Sequence, residues 1–258
     1  QGRGRATRFS QVTLGPDQIG TLFESGGAVE QTLEGYEPRP QQTKMATAIA
    51  QTMTNGGTLL LEAPPGTGKS LAYLVPALAF GAANDTSVVV STSTRGLQEQ
   101  LSTKDVPIAL QILGMESSGS RVALLKGRGN YVCLSRLGQE LRRPNMGADY
   151  AAFLTRVLVW LETTVRGDIG ELRLYGPETE FWPIISAGGD EEHTGCDFQR
   201  RGVCYVARAR KAAQDAILVI TNHSLLLADS AREGAVLGHA KHLVLDEAHH
   251  LEREATAQ

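Results

Sequence analysis

Short apolar runs and helical repeats alternate along most of the chain. Between residues 38 and 54, Met45, Ile49 and Met53 recur every four positions, which is the spacing of a helix face, and Asn55-Gly56-Gly57 is a stop signal. Downstream runs predict strands at 58–62, 87–92, 122–125, 216–221 and 242–246. Because these runs are nearly continuous rather than alternating, they are typical of parallel strands buried on both faces. Helical stretches lie between most of them, so the pattern predicts a layered α/β fold.

The alternation breaks in the middle of the chain, over residues 126–210. This stretch is too long for a single crossover and holds all three cysteines. It also contains an amphipathic helix, predicted from the shared face of Phe153, Val157, Leu161 and Val165. We predict an insertion domain at 126–210, placed inside an α/β domain made of 35–125 and 211–258. Residues 1–34 are predicted to be a linker or an N-terminal extension.

Composition and charge narrow the class of protein. The chain has 258 residues and a formal net charge of -3, so any contact with nucleic acid must come from local basic patches. Three cysteines are poor material for a disulfide framework, and no apolar stretch is long enough to span a bilayer. We therefore expect a cytoplasmic protein with no membrane partner.

A phosphate-binding loop is the clearest chemical signal. The run Ala63-Pro64-Pro65-Gly66-Thr67-Gly68-Lys69-Ser70 follows a predicted strand and precedes a helical run. It departs from the full pattern only in having Ala63 where a glycine is usual. Glycines let backbone N–H groups curl around phosphate oxygens, and the following helix directs its positive end at the same anion. The predicted ATP-binding residues of the loop are Pro65, Gly66, Thr67, Gly68, Lys69 and Ser70.

A second motif supplies carboxylates. The apolar run from His242 ends in Asp246-Glu247-Ala248-His249, and the carboxyl ends of parallel strands are where open α/β sheets bind ligands. We expect Asp246 and Ser70 to hold Mg²⁺ and Glu247 to orient and deprotonate the attacking water. Lys69, Asp246 and Glu247 are thus the predicted catalytic residues. His249 is expected to couple the phosphate site to the nucleic-acid side.

Together these motifs resemble the DEAH-type helicases of superfamily 2, and more narrowly the XPD/DinG family of iron–sulphur helicases. In that family the first loop position commonly accepts alanine. Four further segments carry the resemblance, which covers roughly residues 35–258: Glu37-Pro38-Arg39-Pro40-Gln41-Gln42, Ser91 to Gln100, Lys126-Gly127-Arg128-Gly129-Asn130-Tyr131 and Thr221-Asn222-His223-Ser224-Leu225-Leu226.

The resemblance implies a fold and an activity. It implies a RecA-like P-loop domain interrupted by a mostly helical iron–sulphur-type insertion, in an ATP-hydrolysing helicase that moves 5′ to 3′ on single-stranded or forked DNA, acts as a monomer and serves DNA repair. Arg39 and Gln42 become candidate adenine contacts, since an amide both donates and accepts hydrogen bonds. The candidate DNA contacts are Thr92, Arg95, Gln98 and Arg128. The second motor domain of such an engine is not in this sequence, so we expect this part alone neither to unwind DNA nor to turn over ATP efficiently.

The resemblance also implies a [4Fe–4S] cluster in the insertion, which the family holds with four cysteines. Cys133 stands in the first place and Cys204 in the last, with Cys196 between them. His193 is the candidate fourth ligand, because imidazole replaces thiolate at some clusters. Three sulphurs and one imidazole would also suit zinc.

Rival interpretations remain open at this point. A P-loop kinase or GTPase is disfavoured by the adjacent carboxylates Asp246 and Glu247. A non-enzymatic module that binds metal and senses DNA would use ATP only structurally. Within the same family, the alternatives are a DNA-stimulated ATPase without a cluster and a motor associated with a nuclease.

Overall fold

A computed structural model describes residues 15–115, 121–189, 196–232, 234, 236–237 and 241–256. Its helices are α1 (Pro16–Thr21), α2 (Ala28–Thr32), α3 (Pro40–Asn55), α4 (Lys69–Asn84), α5 (Arg95–Gln100), α6 (Val106–Ile112), α7 (Leu134–Glu140), α8 (Ala148–Leu161), α9 (Glu178–Ile185), α10 (Asp197–Arg200), α11 (Tyr205–Gln214), α12 (His223–Ser230) and α13 (Leu251–Thr256). Its strands are β1 (Val88–Thr92), β2 (Val122–Leu124), β3 (Leu218–Asn222) and β4 (His242–Leu245). None of the helices in these ranges is both long enough and apolar enough to cross a bilayer.

The strands form one parallel sheet in the order β2-β3-β1-β4. Val88 at the start of β1 pairs with Leu218 on one side and with His242 on the other, so the three strands begin in register. Their carboxyl ends consequently lie at one edge of the sheet. The predicted parallel α/β fold is confirmed.

Burial differs between the centre and the edge of the sheet. Every residue of β1 is buried, and so are the first four of β3. On β4, by contrast, Leu243 and Leu245 are 48% and 40% exposed. The prediction of strands buried on both faces is therefore correct for β1 and β3 but wrong for β4. The reason is that β4 is the last strand in the sheet order of the described residues.

The strand predicted at 58–62 is absent from the sheet. These residues have no strand assignment, although they lead directly into the phosphate loop. Leu60 is 91% exposed, and Leu59 and Leu61 are 39% and 41% exposed. A strand needs a neighbour to accept its backbone hydrogen bonds. No part of the chain that the structure describes pairs with this segment, so its apolar composition alone does not make it a strand.

Two long helices pack into the main core. α3 begins at Pro40, a residue suited to the first helical position, and ends before Gly56, whose φ of 77° stops the helix as predicted. Its most buried side chains are those of Gln42, Ala46, Ala50 and Met53. The face of α3 that is buried in the structure is thus rotated by about one residue from the face predicted by Met45, Ile49 and Met53. α4 is buried along most of its length and packs against α3.

Residues 15–34 lie in the segment predicted to be a linker or an N-terminal extension. They form α1 and α2, and Ile19, Phe23 and Val29 are almost fully buried in the main core. α1 begins with Pro16, and the Gly15 N–H donates to Gln18 Oε1 at 2.9 Å, which satisfies one free group of the helix end. The part of the predicted linker before residue 15 lies outside the described residues.

The chain divides into two compact units. The second unit comprises Leu125–Ala212, and the first comprises the rest of the described chain, including the sheet. Phe153 and Val157 of α8 are buried in the second unit's own apolar core. The helix predicted from that face is shorter than expected: α8 ends at Leu161, and Val165 is 71% exposed beyond it.

Candidate nucleotide site

The phosphate loop is a tight turn that leads into α4. Gly66 and Gly68 adopt φ values of 81° and 80°, which side chains with a Cβ rarely adopt. The Thr67 N–H donates to the Pro64 carbonyl at 3.4 Å, and the helix starts at Lys69 immediately after the turn. The free N–H groups at the start of α4 and the helix dipole thus face the space that the loop encloses, which is an arrangement that binds phosphate.

Residues upstream of the loop support its shape. Gln42 is 2% exposed and donates from Nε2 to the Gly68 carbonyl at 3.0 Å, while its Oε1 accepts from the Tyr36 hydroxyl at 2.8 Å. The Arg39 guanidinium donates to the Gly66 carbonyl. The structure therefore gives Arg39 and Gln42 contacts with the loop backbone, whereas their predicted contact with adenine stays a prediction.

The carboxylate motif reaches the loop from β4. The Asp246 N–H donates to the Ser91 carbonyl at 2.8 Å, which continues the pairing of β4 with β1. Glu247 then turns the chain with a φ of 54°. Its Oε1 lies 3.4 Å from Lys69 Nζ, although 178 positions separate the two residues in the sequence. The fold thus brings both predicted halves of the site together.

Burial shapes the electrostatics around Asp246. Burial raises the pKa of the Asp246 carboxyl, and the hydrogen bond from the Tyr73 hydroxyl, 3.2 Å long, opposes this rise. Burial also raises the pKa of Tyr73, reinforced by the negative charge of Asp246. A partly desolvated carboxylate of this kind gains from a cation placed beside it.

Ser70 sits among oxygen atoms that the sequence did not point to. Its hydroxyl lies within hydrogen-bonding reach of Tyr73 and of Asp105, whose pKa is raised by burial and lowered again by the bonds from Ser70 and Gln100. Asp105 ends a π-helical stretch, Leu101–Asp105, of the sort often found at functional sites. Serine hydroxyl and carboxylate oxygens are the donors that Mg²⁺ prefers, so Ser70 and Asp246 fit the predicted role.

Tyr73 and Asp105 are site residues that sequence reasoning missed. Tyr73 lies three positions after Ser70 in α4, so helical spacing already placed the two on one face. No sequence pattern pointed to Asp105. The chain must turn back after β1 to bring this residue to the phosphate loop, and the sequence does not show that turn.

The predicted DNA contacts differ in their exposure. Arg95 begins α5 and is exposed, whereas Thr92 and Gln98 are fully buried. Arg128 is half-buried in the second unit. Arg95 therefore presents its side chain to solvent, and DNA contact by all four residues stays a prediction.

The remaining predicted site residues are His249, the three cysteines and His193. His249 is exposed, and its Nδ1 lies 3.5 Å from Glu247 Oε2, which is compatible with the predicted coupling role without testing it. Cys133, Cys196 and Cys204 are free thiols, and His193 lies outside the described residues. Across the described ranges, no three histidine, cysteine or acidic side chains come together as metal ligands. Among the described residues the three cysteines are therefore not gathered as metal ligands, and the cluster or zinc site stays a prediction.

Comparisons with known proteins agree with this geometry. The DEAD/DEAH box helicase family matches residues 39–116, which contain the phosphate loop and the start of α5. The chain is 36% identical to the ATP-dependent DNA helicase YoaA of Haemophilus influenzae, with 91% of this chain and 36% of that protein aligned. It is 38% identical to the ATP-dependent helicase DinG of Mycobacterium tuberculosis, over 87% of this chain and 36% of that protein.

A third relative carries a different name. The chain is 34% identical to the 3'-5' exonuclease DinG of Bacillus subtilis, over 91% of this chain but only 25% of that longer protein. The chain thus spans about a third or less of the length of these curated relatives. The resemblance found in the sequence is confirmed. Over about nine-tenths of its length, this chain is similar to one part of the ATP-dependent DNA helicases DinG and YoaA.

Proposed function

We propose that this chain is the nucleotide-binding part of a DNA-dependent ATPase that drives helicase movement. One observation carries the proposal: Lys69 of the phosphate loop meets the carboxylate motif at one edge of the sheet, with its Nζ 3.4 Å from Glu247 Oε1. A P-loop kinase or GTPase does not require the adjacent carboxylates Asp246 and Glu247.

The contacts suggest how each residue acts. Lys69 and Glu247 are about one-third exposed, so a phosphate can replace the carboxylate as the partner of the ammonium group. Glu247 then becomes free to accept a proton from water as the water oxygen bonds to the γ-phosphorus and the bond to the leaving ADP oxygen breaks. Proton transfer to a positioned base of this kind typically contributes about 10²–10⁴ in rate.

Mg²⁺ has suitable donors here. Ser70 would bind the ion directly and Asp246 would hold it through water, because Mg²⁺ commonly keeps several waters beside one or two carboxylates. When bound with ATP, the ion would neutralise charge on the phosphates. Asp246 is then stabilised in its ionised form, which burial alone disfavours.

DNA is the expected activator of turnover. Arg95 is exposed at the start of α5, three positions after β1 ends beside the carboxylate motif. A cation there suits a phosphate of the DNA backbone. Movement 5′ to 3′, a preference for single-stranded or forked DNA, and action as a monomer belong to this proposal as expectations from the family. The proposed ATPase mechanism requires no iron–sulphur cluster. If the protein lacks the cluster, the proposal describes a DNA-stimulated ATPase.

The test is ATP hydrolysis by the protein encoded by the complete reading frame, with and without a single-stranded oligonucleotide. We expect DNA to stimulate turnover and Lys69→Ala to abolish it. Lys44→Ala, an exposed lysine of α3, serves as the matched control and should hydrolyse ATP normally. Turnover that ignores DNA in the wild-type protein would contradict the proposal, and so would a fully active Lys69→Ala variant.

A further inference from the structure

His223 is a buried polar residue that the nucleotide site does not account for. It is 0% exposed and begins α12 directly after β3. The preceding Asn222 already caps the helix by accepting from the Leu225 N–H at 3.0 Å, so the cap does not require a histidine here. A buried imidazole is costly unless its nitrogens are bonded. Nδ1 of His223 has a partner, whereas Nε2 has none among the described residues.

The hydrogen-bond partner of its Nδ1 is Ser91, near the end of β1. The Ser91 hydroxyl lies 2.7 Å from His223 Nδ1. The carbonyl of the same serine accepts the Asp246 N–H at 2.8 Å. The backbone of Asp246 and Glu247 also lies beside the histidine ring. Ser91 therefore contacts the carboxylate motif through its main chain and His223 through its side chain.

After β1, the chain leads directly to Arg95, one of the predicted DNA contacts. After Thr92, the Thr94 hydroxyl accepts the Leu97 N–H at 3.2 Å and so caps α5, at whose start Arg95 is exposed. Only four positions separate Ser91 from Arg95. A displacement of α5 upon DNA contact would therefore reach Ser91 through one short, hydrogen-bonded segment.

We propose that His223 is a positioning residue: by fixing Ser91, it couples the end of β1 that carries Arg95 to the placement of Asp246 and Glu247. This inference rests on the proposed DNA-stimulated ATPase. His223 itself touches neither ATP nor DNA. Its side chain holds the serine that joins the two functional segments, so its loss should affect the response to DNA rather than the binding of either ligand.

Three substitutions separate positioning from simple filling of the core. His223→Leu keeps the apolar volume and removes the bond to Ser91. His223→Asn keeps a polar atom near the position of Nδ1. Ser91→Ala removes the other partner and leaves the ring in place. His242→Leu is the matched control, since His242 is a histidine of β4 that packs on Phe80 at the opposite end of the strand from Asp246.

The measurements are kcat and KM for ATP at saturating single-stranded oligo-dT, the Kd for that oligonucleotide, and the melting temperature. We expect His223→Leu and Ser91→Ala each to lower DNA-stimulated kcat about tenfold, the equivalent of about 1.4 kcal/mol for one buried hydrogen bond. KM and Kd should change less than about twofold, because the ligand contacts remain. His223→Asn should keep most of the stimulation, and His242→Leu should resemble wild type.

The double variant Ser91→Ala with His223→Leu should lose no more than either single variant, since both remove the same bond. Wild-type kcat in His223→Leu, additive losses in the double variant, or an equal loss in His223→Asn would each overturn the inference. If His223→Leu does not fold, Ser91→Ala and His223→Asn still decide it. Absence of DNA stimulation in the wild-type protein would instead overturn the proposed function, and the inference with it.

Discussion

Two lysine–carboxylate pairs, one in each unit, show how the same chemistry serves opposite purposes. Lys69 and Glu247 of the first unit are 3.4 Å apart and keep 30% and 33% of their side chains exposed. Lys126 and Asp168 of the second unit are 2.5 Å apart and only 2% exposed. The exposed pair can exchange partners with a phosphate, whereas the buried pair cannot separate without leaving a charge in the core. The degree of exposure therefore distinguishes the pair at the proposed nucleotide site from the pair in the core of the second unit.

The largest expected effect tests the exposed pair. Glu247→Gln keeps the size of the side chain but removes the base, so we expect ATP turnover to fall about 10²–10⁴-fold while ATP binding persists. Steady-state hydrolysis and the Kd of a fluorescent ATP analogue would measure the two separately. Glu252→Gln in α13 is the control and should leave turnover unchanged. Loss of ATP binding in Glu247→Gln would mean that the residue is structural, like Asp168.

The next effect tests the buried pair. Lys126→Met leaves Asp168 charged and unpaired, and we expect it to lower the free energy of unfolding of the second unit by about 3–5 kcal/mol. Both tryptophans, Trp160 and Trp182, lie in this unit, so urea unfolding followed by tryptophan fluorescence reports on it selectively.

The control for Lys126→Met is Arg166→Met, which removes the more exposed pair with Glu171. It should lower stability by less than about 1 kcal/mol. If both variants lower the free energy of unfolding equally, burial does not determine how much an ion pair contributes to stability.

A smaller effect tests how the first unit holds its phosphate loop. A Cβ on Gly68 would lie 2.2 Å from Gln42 Nε2, whereas one on Gly66 would meet nothing within 4 Å. Both glycines have φ near 80°, so alanine strains both by a similar amount. We expect Gly68→Ala to weaken ATP binding by about tenfold more than Gly66→Ala, a difference of about 1.4 kcal/mol. Titration with a fluorescent ATP analogue measures both, and equal affinities would contradict the supporting role of Gln42.

The smallest expected effect concerns the cysteines of the second unit. The cluster stays a prediction, and protein purified anaerobically should then hold about four irons per chain. Cys133→Ala should lose them yet change ATP affinity by less than about twofold, because Lys69, Ser70 and Asp246 all belong to the first unit. Iron and sulphide analysis with a visible spectrum decides the first point. A colourless, metal-free and folded wild-type protein would contradict the cluster, and retained colour in His193→Ala would exclude that histidine as a ligand.

Local patterns predicted what short stretches of chain determine. The phosphate loop, the end of α3 at Gly56 and strands β1 and β3 follow from glycine conformation, helix stop signals and continuous apolar runs. Errors appeared where a neighbour decides the outcome. The run at 58–62 is apolar enough for a strand but has no partner among the described residues, and Val165 fits the spacing of α8 but lies beyond its end.

By itself, the sequence determined the parallel α/β class and the two motifs, because each depends on residues close together along the chain. Only the tertiary structure decided that Tyr73 bonds to Asp246, that Asp105 reaches Ser70 and that His223 holds Ser91. It also decided that Gln42 donates a hydrogen bond to the backbone of the phosphate loop. These contacts join residues far apart in sequence, and their distances and burial depend on how helices pack against the sheet, which no local pattern encodes.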